Sequence, residues 1–263
     1  MAKIYSCPGG NIQPDIFSSL ESIKEFGLDG QEIEFVRGVS MGSDTAKKVG
    51  QLAKKLGLRL SIHAPYYINL ISVEKEKVEA SKKRILDSCR KGHLLGAKSI
   101  VFHPGYYQKR SKDESYLIVK EEIKNMLEVI KHEGLDVDLC PETTGKASQF
   151  GDLDELLNLM KDTGCKICVD FAHIYARQNG IIDYEEIFIK FKKNNLKNIH
   201  SHFSGIEYSE KGERHHLQMT EEFLEPLLRV ASKNNINLNI VNESPNPLKG
   251  AIDLKIMASK YGL

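Results

Sequence analysis

The sequence predicts a (β/α)8 TIM barrel of the α/β class, one domain over residues 1–263 with its active site at the C-terminal rim. Three observations predict it. Short apolar runs, many β-branched, recur eight times, as strands buried on both faces require. Amphipathic stretches with apolar residues three and four apart separate them, such as Ile16-Phe17-Leu20-Ile23 and Leu153-Leu156-Leu157-Met160. The strand ends follow one another at intervals of roughly 28–41 residues, which suits strand–loop–helix–loop units and leaves no room for a second domain.

The eight strands are expected at Lys3–Cys7, Glu32–Val36, Leu60–His63, Ser99–His103, Val137–Glu142, Lys166–Asp170, Ile199–Phe203 and Leu238–Glu243. Gly57, Gly96, Gly134 and Gly164 each stand shortly before a strand, where a left-handed residue ends a helix. Closure into a barrel removes both sheet edges. An open doubly wound sheet is the competitor, but its GxGxxG phosphate loop is missing after the first strand, where Gly9-Gly10 reads as a turn.

Composition narrows the function classes. Formal net charge is +1, so no global basic excess advertises nucleic acid, and any such binding must be local. No apolar run approaches the ~18 residues of a membrane span, and the first residues lack the apolar core of a signal peptide. The five cysteines, 7, 89, 140, 165 and 168, are odd in number and scattered, which suits a reducing, cytoplasmic setting. Cys165-x-x-Cys168 has no second CxxC to complete a zinc site and is read as ordinary packing.

In such a barrel the chemistry sits at the carboxyl ends of the strands. Strands three to eight end in His63, His103, Glu142, Asp170, His202 and Glu243; His173 follows three residues after Asp170, and Glu213-Arg214-His215-His216 lies beyond strand seven. A lone polar residue at a strand end is ordinarily just solvated. Six in series, all of types that zinc prefers, are not what ordinary composition supplies. Converging carboxylates would also repel one another without cations between them. The candidates exceed the three or four ligands of one ion and suit two or three ions sharing bridges, as in enzymes that displace groups at phosphorus.

The segments His63-Ala64-Pro65-Tyr66-Tyr67-Ile68-Asn69-Leu70, Phe102-His103-Pro104-Gly105, Glu142-Thr143-Thr144-Gly145-Lys146, Val169-Asp170-Phe171-Ala172-His173, His202-Phe203-Ser204, Arg214-His215-His216 and Asn242-Glu243-Ser244-Pro245 together resemble endonuclease IV, the zinc-dependent apurinic/apyrimidinic endonucleases. The resemblance covers roughly residues 60–245. It implies three Zn2+ per chain, with Mn2+ an option at one or more sites. The first ion would be held by His63, His103 and a bridging Glu142. The second would take Glu142, Asp170, His202 and Glu243, and the third His173, His215 and Glu213. It implies hydrolysis of double-stranded DNA 5′ to an abasic site, with Glu142 and Glu243 catalytic, by a monomeric chain. Tyr66 resembles a DNA-contacting aromatic.

Two departures stand out. Glu213 replaces the family's aspartate, and the loop Arg37–Ser43 lacks the expected polar and aromatic cluster that enters DNA. Arg37 and Met41 are its candidates for a phosphate contact and an apolar wedge. Lys109, Arg110 and Lys112, on the rim after strand four, are further phosphate candidates. His200 is read as a hydrogen-bonded core histidine, and His216, beside a candidate ligand, is expected to face elsewhere. Three divalent ions would add six positive charges at the barrel mouth and reconcile a near-neutral chain with an anionic substrate. The alternative reading is a metal-dependent sugar isomerase or epimerase on the same barrel; a third is a binding protein without chemistry.

Overall fold

The computed structural model describes residues 2–263. Eight parallel strands form the barrel: β1 (Ile4–Pro8), β2 (Gly30–Glu34), β3 (Arg59–His63), β4 (Ser99–Phe102), β5 (Asp138–Pro141), β6 (Cys168–Asp170), β7 (Asn198–Phe203) and β8 (Asn237–Asn242). They pair as two four-stranded arcs, β1-β8-β7-β6 and β2-β3-β4-β5. Single parallel bridges, Gly9 with Glu32 and Glu142 with Cys168, join the arcs at two seams.

All eight predicted strands form, most within a residue or two of their expected ends. Strand β2 is the informative exception, starting and finishing two residues early. Gly30 opens it by lying so close to Arg59 that a side chain there would collide with that residue's backbone. Within it Glu32 and Glu34, two residues apart, share the inward face.

The helices α1 (Ile16–Glu25), α2 (Ser43–Leu56), α3 (Lys75–Leu95), α4 (Lys112–His132), α5 (Leu153–Thr163), α6 (Phe171–Arg177), α7 (Tyr184–Lys193), α8 (Glu221–Asn234) and α9 (Pro247–Lys260) surround the barrel. Local chemistry sets their ends. Ser111 with Glu114 and Asp152 with Glu155 form capping boxes at α4 and α5. Gly57 and Gly164 close α2 and α5 in the left-handed region at φ 71° and 80°.

The main core lies between strands and helices, where Ile62, Ile100, Leu139 and Val169 meet Ile85, Val119, Leu156 and Phe188, all buried. Inside the barrel the apolar cluster is small: Val101, Cys140 and Cys168. The interior is otherwise markedly polar, with buried Glu32, Ser61, Ser201 and His202. All five cysteines are buried free thiols. No helix among the described residues is long and apolar enough to cross a membrane.

Two additions decorate the C-terminal rim. A two-residue ladder, Gly105–Tyr106 with Gln149–Phe150, ties the loops after β4 and β5. A hairpin, Gly205–Ser209 with Gly212–Leu217, follows β7. Its register slips between Glu207 and Tyr208, which face His215 and Glu213 and leave Arg214 as an extra residue. That bulge decides which histidine enters the site.

Candidate metal centre

The ends of β3 to β8 converge on one mouth. Three groups of side chains there offer ligand atoms close enough to share an ion: His63, His103 and Glu142; Glu142, Asp170, His202 and Glu243; and His173, Glu213 and His216. Glu142 belongs to two of them. Its Oε2 lies 3.2 Å from His63 Nε2 and 2.9 Å from His103 Nε2, and its Oε1 lies 3.0 Å from His202 Nδ1. Glu243 Oε1 reaches the same Nδ1 at 3.2 Å.

Backbone contacts aim the imidazoles. His63 Nδ1–H donates to the Ala64 carbonyl at 2.8 Å, and His173 Nδ1–H to the Thr143 carbonyl at 2.9 Å. Each leaves its Nε2 lone pair facing the mouth. Asp170 ends β6 and caps α6, accepting from the His173 amide at 2.8 Å through Oδ1. Thr143 holds the Asp170 backbone through its hydroxyl, which accepts from the amide at 2.8 Å.

The residues fit divalent cations. Glu142 Oε1, Asp170 Oδ2 and His202 Nδ1 are buried and lack a hydrogen bond of regular geometry, and all three belong to the second group. Leaving such atoms unpaired is costly, and an ion among them would satisfy all three. Charge points the same way. Burial is the largest influence on Asp170 and drives its carboxyl upward, with Glu243 and Glu142 adding to the rise. Burial works against ionisation of Glu243, yet His202 holds that carboxyl down to about 2. For His63 burial again opposes the charge, and Glu142, with Glu32 and Glu243 behind it, raises the imidazole to about 9. The carboxylates thus draw positive charge into the site, onto the imidazoles where no cation neutralises them.

One predicted ligand is displaced. The structure places His216, not His215, beside His173 and Glu213. In an unbroken strand Glu213 and His215 would share a face, but the extra residue Arg214 shifts the alternation by one. His215 turns outward, 60% exposed in its side chain, and pairs with Glu207 at 3.2 Å. His216 turns inward, with Nδ1 2.6 Å from Ser204 Oγ and its ring 5.4 Å from that of His173.

The predicted DNA contacts divide. Tyr66 stands at the mouth, 58% exposed, with its ring 5.7 Å from His63. Arg37 and Lys109 are exposed on their loops and do not line the cavity over the ligands. Arg110 is committed elsewhere, donating to the Ile71 carbonyl and tying the loop after β4 to the one after β3. A cation that sequence reasoning passed over, Lys146, does line that cavity of about 420 Å³, as do Glu34 and Tyr106. Arg177 donates to the carbonyls of Thr144, Lys146 and Gln149 and so fixes the loop that carries Lys146. A larger hollow of about 800 Å³ opens at the opposite end of the barrel. Its lining includes His200 but none of the residues of the three ligand groups, so the smaller cavity is the one that meets the converging groups.

Glu32 is the other residue missed. It is fully buried, with Oε1 2.9 Å from His202 Nε2 and Oε2 3.1 Å from His200 Nε2. A buried acid in a strand is rare enough to be a usable signal, but Glu32 stands at the start of the expected strand Glu32–Val36, not at the carboxyl end where a barrel keeps its chemistry.

Known proteins show the same architecture. The chain is 42% identical over 215 residues to the uncharacterized protein MJ0133 of Methanocaldococcus jannaschii, covering 79% of this chain and 78% of that one. It is 31% identical over 140 residues to a protein of Mycoplasmopsis agalactiae named probable endonuclease 4, covering 51% of this chain and 48% of its relative. Among solved structures, endonuclease IV from Thermus thermophilus superposes with a TM-score of 0.73 at 21% identity, over 98% of both chains. The 3-keto-D-glucoside 4-epimerase YcjR from E. coli superposes at 0.69 and 17% identity, over 99% of this chain and 100% of that one. The family described as xylose isomerase-like TIM barrel matches residues 20–256, and with that span matched the chain belongs to this family.

Proposed function

We propose that the chain is a metal-dependent phosphodiester hydrolase that incises double-stranded DNA 5′ to abasic sites. The observation that carries this reading is the set of three adjoining ligand groups, nine residues in all, bridged by Glu142. A relative named probable endonuclease 4 supports it. His63, His103 and Glu142 would hold one zinc ion, Glu142, Asp170, His202 and Glu243 a second, and His173, Glu213 and His216 a third, with manganese an option. When bound, such ions supply Lewis acidity and neutralise the charge that builds on phosphoryl oxygens.

The remaining work falls to the chain's own side chains. Tyr66, with its ring exposed beside His63, offers a stacking face to a base or deoxyribose at the lesion. Lys146, on a loop pinned by Arg177, pairs with a backbone phosphate. Glu243 contacts His202 through Oε1, while Oε2 lies farther out, 3.8 Å from His216 Nε2. That outer oxygen takes the proton from the water that attacks phosphorus, the P–O3′ bond breaks, and the departing O3′ takes up a proton from solvent, which leaves a 3′-hydroxyl and a 5′-phosphate.

The second reading, a sugar epimerase or isomerase, has one observation in its favour: Glu142, Asp170, His202 and Glu243 form a complete single-ion site by themselves. One experiment separates the two. A duplex with one abasic-site analogue is incubated with zinc-loaded protein while metal is counted by elemental analysis. Incision with about three ions per chain supports the nuclease; one or two ions and no incision refutes it.

A further inference from the structure

The polar interior of the barrel contains a fourth group of potential ligands, Cys168, His200 and His202, below the three already described. Its hydrogen bonds assign it a different role. They form a chain whose polarity can be followed from the far side of the barrel to the metal centre.

The chain starts at Cys7. Burial is the largest influence on this thiol and drives it far up, so it stays protonated, and it donates to Asn239 Oδ1 at 3.6 Å. With its oxygen so occupied, Asn239 presents its Nδ2–H to His200 Nδ1, 2.8 Å away. His200 Nδ1 must therefore accept, which puts the proton on Nε2, and Nε2 faces Glu32 Oε2 at 3.1 Å. That nitrogen has no lone pair for an ion. The other oxygen of Glu32 faces His202 Nε2 at 2.9 Å, a short though bent contact. Carboxylates face both ring nitrogens of His202, but an ion shared by Glu142 and Glu243 would take the Nδ1 lone pair, which leaves the proton to Nε2 on the Glu32 side.

We infer that Glu32 is a positioning residue for the metal centre: paired with His200 through Oε2 and with its negative Oε1 set 2.9 Å from His202 Nε2, it favours the tautomer in which His202 can ligate through Nδ1. The inference rests on the metal-centre reading above and extends it to residues that touch no ion. Only a carboxylate suits the position, because donors meet it from both sides. A glutamine there would accept from one histidine and press its own N–H against the other, forcing His200 toward the Nδ1–H form that Asn239 opposes. Changing Asn239 to aspartate as well would supply the acceptor that form needs, and would return the lost negative charge.

The test uses full-length protein, zinc and a competing chelator. Glu32→Gln should weaken zinc binding about 10–100-fold, the range found when a carboxylate supporting a ligating histidine is lost. Glu32→Gln with Asn239→Asp should recover most of that loss. Histidine-selective 15N NMR of the zinc-loaded wild type should show His200 and His202 both protonated at Nε2. Unchanged affinity in Glu32→Gln, no recovery in the double variant, or an Nδ1-protonated His200 would each overturn the inference while leaving the metal centre standing. A wild type that takes up no zinc would overturn both. Circular dichroism of each variant shows whether weaker binding reflects loss of fold, and a double variant that folds and binds like wild type excludes that explanation.

Discussion

Glu142→Gln tests the metal centre most directly, because a single side chain serves two of its three groups. A structural zinc ion contributes about 10–16 kcal/mol through four ligands, so one ligand carries roughly 3 kcal/mol, or about two orders of magnitude in affinity. The change strikes both groups. Glu142 Oε2 faces His63 and His103, and Oε1 faces His202. An amide in this position must turn its NH2 toward one side or the other, and it carries no charge to either. Only the group of His173, Glu213 and His216 keeps its full set of ligands. Protein dialysed against buffered zinc should fall from about three ions per chain to about one, and incision of an abasic duplex should drop at least 100-fold. Elemental analysis and a denaturing-gel nicking assay on the same preparation read both. A variant that keeps its ions and incises at the wild-type rate would refute the bridging role and the mechanism built on it.

Three further outcomes are expected. His216→Ala should lose about one ion per chain and His215→Ala none, measured by elemental analysis; the reverse would mean that the bulge at Arg214 is misplaced. Tyr66→Ala should raise KM for an abasic duplex about tenfold with kcat little changed, since stacking on one aromatic contributes about 1–3 kcal/mol; steady-state kinetics that show a loss confined to kcat would contradict a stacking role. Cys165 is raised to about 11, chiefly by burial, and the thiolate is the reactive form. Its thiolate fraction at pH 8 is about one in a thousand, so iodoacetamide should label it in unfolded but not in native protein at that pH, with native labelling rising as pH approaches 11. Mass spectrometry of the labelled peptides decides it, and rapid native labelling at pH 8 would refute the assigned burial.

The barrel and most of its site were legible because both depend on local rules. A strand buried on two faces must be an apolar run, so the first polar residue after it announces its end. His63, His103, Glu142, Asp170, His202 and Glu243 were found in that way. What escaped depended on register. A chain read at period two puts Glu213 with His215, and nothing in Gly212–Leu217 alone reveals that Arg214 is an inserted residue. Glu32 escaped because β2 was placed two residues late, which made its start look like a boundary rather than the middle of an inward face. Arg110 looked like a free cation on the rim; only tertiary structure shows the Ile71 carbonyl that claims it. Lys146 passed unnoticed because its position depends on Arg177, about thirty residues away.

The two seams of the barrel give the site a mechanical meaning. Each arc of four strands is internally well paired, but they meet at single bridges, Gly9 with Glu32 and Glu142 with Cys168. His63, His103 and Glu142 belong to one arc, and Asp170, His202 and Glu243 to the other. Cations shared between them would act as rivets across a joint that the backbone only tacks together, and Glu32, reaching over to His200 and His202, is a fastener built from protein alone. Chelation should then loosen the molecule along these lines before it melts as a whole, with amide exchange quickening first at Gly10 and Thr143, whose N–H groups donate across the seams to the Glu32 and Cys168 carbonyls. In such a molecule metal supply would govern how long the protein lasts as well as how fast it works.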